Sequence, residues 1–110
     1  REALKTPTRL LLVETVSNPL LRVADLPALA EIAHAAGTLL VVDNTFATPV
    51  LTRPLEQGAD LAMESLTKMI GGHGDITLGL VAGHDYQMEV AAACSIWGLS
   101  SNPFECWLTE

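Results

Sequence analysis

Two apolar runs separated by a stretch of helical spacing constrain this chain more than anything else in it. Residues 9–16 (RLLLVETV) hold leucines and a valine ended by Glu14 and Thr15, the pattern of a strand buried on both faces. Residues 38–42 (TLLVV) repeat that pattern. Between them, from Asp25 as N-cap, Leu26, Leu29, Ile32, Ala33 and Ala36 recur at helical spacing, Glu31 and His34 face outward, and Gly37 closes the helix. Strand, helix and strand in that order predict a right-handed crossover between parallel strands.

The remaining chain extends this α/β plan. Ser17-Asn18-Pro19 turns the chain after the first strand, and an irregular stretch with Pro49 and Pro54 leads to a helical turn over residues 55–57 stopped by Gly58. Residues 60–64 (DLAME) make a third, shorter strand, and residues 77–82 (TLGLVA) a fourth. The turn between them is too short for a helical crossover, so the fourth strand is expected to run antiparallel. Asp85 is the expected cap of a mostly apolar helix carrying Tyr86, Met88, Val90, Ala93 and Trp97 and ended by Gly98. Asn102-Pro103-Phe104-Glu105 starts another helix, and Arg1 to Lys5 resembles the tail of one. With 110 residues, no linker and no internal repeat, the chain is one domain or less, and is read as a piece of something longer.

In open parallel sheets, ligands gather at the carboxyl ends of the strands. There the sequence puts Asn18 after strand one, Asp43 at the end of strand two, and Ser65, Thr67 and Lys68 after strand three. Lys68 is one of only two lysines and precedes the glycine-rich turn Gly71-Gly72-His73-Gly74. Burial among apolar neighbours would favour its uncharged amine, the form that attacks an aldehyde. Ser65 and Thr67, two apart, put two hydroxyls on one side of an extended backbone, an arrangement suited to a phosphate. An aldehyde on a lysine with a phosphate beside it describes pyridoxal phosphate. Asp43 directly follows four apolar residues, where a carboxylate calls for a cationic partner such as a protonated pyridine nitrogen. Each has a plainer reading too: Lys68 as a surface lysine at a strand end, Asp43 as the cap of the Asn44-Thr45 turn, Asn18 as an ordinary turn former before proline.

Competing chemistries find less support. Ser65-x-x-Lys68 spells the acylation motif of penicillin-binding proteins, but no Lys-Thr-Gly or Ser-Asp-Asn follows. His73 and Asp75 supply two candidate ligands where zinc takes three or four, so no metal is expected. A net charge of -7 leaves no basic stripe for nucleic acid, and no apolar run reaches membrane-spanning length. Cys94 and Cys106 lack metal or redox spacing and are expected to be reduced and buried, in a cytoplasmic protein.

Residues 17–23 (SNPLLRV), 41–49 (VVDNTFATP) and the pattern Ser65-x-Thr67-Lys68-x-x-Gly71-Gly72-His73-Gly74-Asp75 together resemble the trans-sulfuration enzymes of cysteine and methionine metabolism. That family includes cystathionine gamma-synthase, cystathionine gamma-lyase and beta-lyase, methionine gamma-lyase and O-acetylhomoserine sulfhydrylase. The resemblance spans nearly the whole chain. It implies a central fragment, residues 1–110, of the aminotransferase-like (fold type I) large domain, a mostly parallel sheet with flanking helices. It also implies a pyridoxal 5'-phosphate enzyme that forms or cleaves carbon-sulfur bonds in sulfur amino acids such as cystathionine, with a homotetrameric parent. On that resemblance Lys68 is the catalytic lysine and covalent anchor, Asp43 holds the pyridine nitrogen, Ser65 and Thr67 the phosphate, and Asn18 lies at the ring edge. Met69 stands where the family usually has tyrosine, and Gly74 where serine is usual. An inactive structural fragment without cofactor is the alternative from another class.

Overall fold

The computed structural model describes residues 2–109; Arg1, part of the opening segment, lies outside them. That segment is a short 3-10 turn, Ala3–Lys5. Four strands follow, β1 (Leu10–Glu14), β2 (Leu39–Asp43), β3 (Leu61–Ser65) and β4 (Gly79–Gly83), hydrogen-bonded in the order β1-β2-β3-β4. The first three are parallel, with Glu14 opposite Asp43 and Asp43 opposite Met63. β4 runs antiparallel to β3, with Ser65 opposite Gly79, as the short connection predicts.

α1 (Leu26–Ala35) joins β1 to β2. Asp25 caps it as expected, its Oδ1 accepting the Ala28 N–H at 3.2 Å. Leu26, Ala30 and Ala33 then recur on one stripe and pack with Leu40, Val42 and Ala59, while Leu11 and Val13 cover the flank. Burying a leucine such as Leu26 is worth about 2–3 kcal/mol, so this small cluster anchors the fold. Gly58 ends the 3-10 turn Pro54–Gln57 at φ 95°, and a Cβ there would lie 2.9 Å from that of Ala30. Only glycine satisfies both conditions.

Several expectations are corrected. β1 is not buried on both faces: it is an edge strand whose residues alternate, leaving Leu10 48% and Leu12 58% exposed while Leu11 and Val13 face α1. A four-residue helix, α2 (Thr48–Leu51), occupies part of the stretch read as irregular, because Pro49 sits in its first turn, where a missing N–H costs nothing. α3 (Gln87–Trp97) is not capped by Asp85; Tyr86 holds the N-cap position at φ 62°. It buries none of its side chains, and α4 (Pro103–Leu108), capped by Asn102 as expected, buries none either. Both cysteines are free, but Cys94 is half-buried and Cys106 exposed. The radius of gyration, 14.9 Å, exceeds the about 13 Å of a compact domain of similar length, as exposed terminal helices require. Among the described residues no helix is long and apolar enough to cross a membrane.

Candidate active site

The carboxyl ends of the three parallel strands are laced together. Beyond β1 the chain loops through Ser17–Arg22, closed by the Ser17 N–H to Arg22 O bond at 2.9 Å, and the Asn18 N–H donates to Glu14 Oε2 at 3.0 Å. At the end of β2, Asp43 Oδ1 accepts the Thr45 N–H at 3.0 Å, and Thr45 Oγ1 accepts the Ser65 N–H at 2.9 Å. β3 runs into a turn where the Lys68 N–H donates to Ser65 O at 3.1 Å and Lys68 O accepts the Gly72 N–H at 2.9 Å. A Cβ at Gly71 would meet Leu66 O at 2.5 Å and the Ile76 side chain at 2.6 Å, so this turn closes only around glycine.

Asn18, Asp43, Ser65 and Lys68 line one cavity of about 180 Å³. Asp43 and Lys68, the two residues on which the expected chemistry depends, therefore share a hollow at the same sheet edge. Asp43 serves its turn and borders the cavity at once, so the two sequence readings of it are compatible. Thr67 is the exception among the lining residues expected from sequence. Its hydroxyl is turned to the residue just before β4, where Oγ1 accepts the Leu78 N–H at 3.2 Å and donates to Leu78 O at 3.3 Å. The backbone after Ser65 turns rather than staying extended, so the two hydroxyls do not share a face. Lys68 is exposed, not buried, because nothing in residues 2–109 covers the mouth of the cavity above it.

Glu14, Val16, Thr45 and Phe46 line the same cavity, and sequence reasoning missed them. Parallel pairing holds the signal for Glu14, which sits opposite Asp43 and so faces the same way. Thr45 is two residues past Asp43. Glu14 and Asp43 thus border the same cavity as Lys68. His73 is exposed and shares a hydrogen bond of 2.8 Å with Gly71 O.

Behind the cavity, on the α1 face of the sheet, lies a second polar row that the sequence reading also passed over. Asn44, fully buried, accepts the Thr15 hydroxyl at Oδ1 at 2.8 Å and donates from Nδ2 to Glu64 Oε1 at 2.8 Å and to Thr52 O at 3.1 Å. Glu64 is 4% exposed, and its Oε2 has no hydrogen-bond partner among the described residues. Burial pushes its carboxyl above the usual range, the Asn44 hydrogen bond opposes that, and the nearby Asp43 charge adds to it.

An amine, a carboxylate, a hydroxyl and an amide around one hollow form a donor set matched to an aldehyde-bearing, phosphorylated pyridine. Lys68 is the residue able to bond an aldehyde, Asp43 to face a ring N–H, and Ser65 to donate to a phosphate. The residues present fit that group.

A family model for Cys/Met metabolism PLP-dependent enzymes matches residues 1–110. The O-succinylhomoserine sulfhydrylase of Pseudomonas aeruginosa is 50% identical over 107 residues, 96% of this chain and 27% of that protein. Among solved structures, the cystathionine gamma synthase of Xanthomonas oryzae pv. oryzae in complex with aminoacrylate and cysteine superimposes with a TM-score of 0.94 at 44% identity, over 98% of this chain and 28% of that one. CalE6, a methionine gamma lyase from Micromonospora echinospora, gives 0.92 at 40% identity, over 98% of this chain and 31% of its own. The chain spans roughly 30% of the length of these relatives.

Proposed function

Because the chain belongs to the Cys/Met metabolism PLP-dependent enzymes, we propose that the protein it forms part of makes or breaks carbon-sulfur bonds in sulfur amino acids. In this reading residues 1–110 are the central, cofactor-binding part of a large domain, with the cytoplasm as location and a homotetramer as assembly. The observation that carries the proposal is the shared cavity of Asp43 and Lys68, with Asn18 and Ser65 at its walls.

Pyridoxal phosphate, when bound, supplies an electron-poor ring that absorbs the negative charge left when a bond to the substrate's alpha carbon breaks. Lys68 would hold its aldehyde and, once the substrate's amino group has taken its place there, would be the base at the cavity, taking and returning a proton at Nζ. Asp43 keeps the ring nitrogen protonated by presenting a carboxylate to it. Ser65 donates its hydroxyl to the phosphate, and Asn18 its amide to the ring oxygen or substrate carboxylate. Thr67, whose hydroxyl is turned toward Leu78, would reach the phosphate through a rotation of its side chain.

Purified parent protein should absorb visible light, lose that absorption on borohydride treatment with the label left on Lys68, and turn over cystathionine or an O-acylated homoserine with a thiol. A colourless parent whose melting temperature ignores added pyridoxal phosphate would refute the proposal. The exposure of Lys68 favours one further statement: the 110-residue chain alone is inactive, since water reaches the amine freely. Measurable cystathionine turnover by it would refute that.

A further inference from the structure

The row behind the cavity continues the pairing of the strands. β1 and β2 pair 29 residues apart and β2 and β3 pair 20 apart, and the Thr15–Asn44 and Asn44–Glu64 side-chain bonds span those same separations. Three side chains thus stand abreast on the α1 face, one step beyond the row that carries Glu14 and Asp43 on the cavity face. Asn44 is saturated by them: its backbone N–H donates to Met63 O at 2.9 Å, and its side chain makes the three bonds described above.

We propose that Glu64 is a positioning residue: by accepting the Asn44 amide behind the sheet, it fixes the segment 43–45 whose carboxylate and hydroxyl border the cavity. This rests on the reading that Asp43 faces the cofactor. The link is short. Asp43 O accepts the Thr15 N–H at 2.9 Å, Asp43 Oδ1 accepts the Thr45 N–H, and Thr45 Oγ1 holds the Ser65 N–H, so a shift of Asn44 moves all three at once. Removing the Glu64 acceptor leaves a buried amide N–H of Asn44 without that partner, and the segment must move to satisfy it. Of the charged groups around Glu64, Asp43 lies on β2, while Arg53, Glu56 and His84 share with it an apolar-walled cavity of about 290 Å³. None of these supplies a bond to its Oε2.

The test uses the full-length parent, with the dissociation constant of pyridoxal phosphate for the apoenzyme and the pH dependence of the bound cofactor's visible absorption as readouts. Glu64→Leu is expected to weaken cofactor binding about tenfold, equivalent to ~1.4 kcal/mol, and to shift that pH profile. Glu64→Gln, which keeps an oxygen for Asn44, is expected to restore both to within about twofold. A Leu variant with normal affinity and spectrum, even if less heat-stable, overturns the proposal, as does a Gln variant as impaired as Leu. Should the Leu variant not fold, Glu64→Asp draws the carboxyl back from Asn44 and is expected to lose affinity severalfold; wild-type affinity there is equally fatal. A wild-type parent that takes up no cofactor would refute the proposed function itself, before any variant is compared.

Discussion

The carboxyl edge of β1 to β3 and the segment from β4 to α4 are built on opposite terms. At the edge, side-chain hydrogen bonds tie Thr15, Asp43, Asn44, Thr45 and Glu64 across the strands, and the strands meet a core under α1. From Thr77 to Thr109 no residue is buried, and Met88, Ile96 and Trp97 stand 80%, 80% and 78% exposed. Both regions are rich in apolar residues, so composition does not separate them. What separates them is whether neighbours within the chain exist to pack against. The edge is set by local geometry, whereas the terminal helices carry apolar residues that nothing within residues 2–109 covers.

The strongest way to break this contrast is to remove the amine. In the parent, Lys68→Ala should abolish borohydride labelling and lower turnover by about a thousandfold or more, since no other amine among the described residues lines the cavity. Asp43→Asn should keep the turn, because an amide oxygen still accepts the Thr45 N–H, yet lower kcat/KM by about a hundredfold; an unchanged rate would detach Asp43 from the chemistry. Leu26→Ala in the 110-residue chain should cost about 2–5 kcal/mol in urea unfolding, whereas Ile96→Ala should change stability by less than about 0.5 kcal/mol. Equal costs would mean the terminal helices are packed after all.

The smallest expected effect is a pH dependence. Glu64 has its folded-state pKa raised, so the folded chain binds its proton more tightly than the unfolded chain does. Stability from that source is full below the unfolded value and falls as pH rises through the folded one. The unfolding free energy of Glu64→Gln relative to the unsubstituted chain should therefore increase between pH 4 and pH 7.5, by urea titration at each pH. A difference independent of pH would sink this.

Much of this was readable in advance. Asp25, Gly37, Gly58 and Asn102 punctuate the chain where they were expected to, and the brief connection after β3 announced an antiparallel β4. The convergence of Asn18, Asp43, Ser65 and Lys68 followed from one rule about strand ends. What escaped were features that depend on neighbours. An apolar strand sequence does not say whether it lies at an edge, so Leu10 and Leu12 were read as core. The stretch around Pro49 was read as irregular because that residue's place in a first turn is invisible until the turn exists. The shared face expected for Ser65 and Thr67 assumed an extended backbone, and the bend after Ser65 sends the Thr67 hydroxyl to Leu78 instead. Glu64 carried a usable sign, an acid directly after the apolar Leu61-Ala62-Met63, whose partner Asn44 becomes visible only once β2 and β3 are paired.

Consecutive residues of β3 point to opposite sides, which makes Glu64 and Ser65 interchangeable by the smallest error the strand can commit. A slip of one position against β2 would swing the acid into the hollow opposite Lys68 and bury the alcohol beneath the sheet. The amine would then find a rival anion where its ligand belongs. Fidelity of strand alignment over five residues is thus a condition of reactivity as well as of shape.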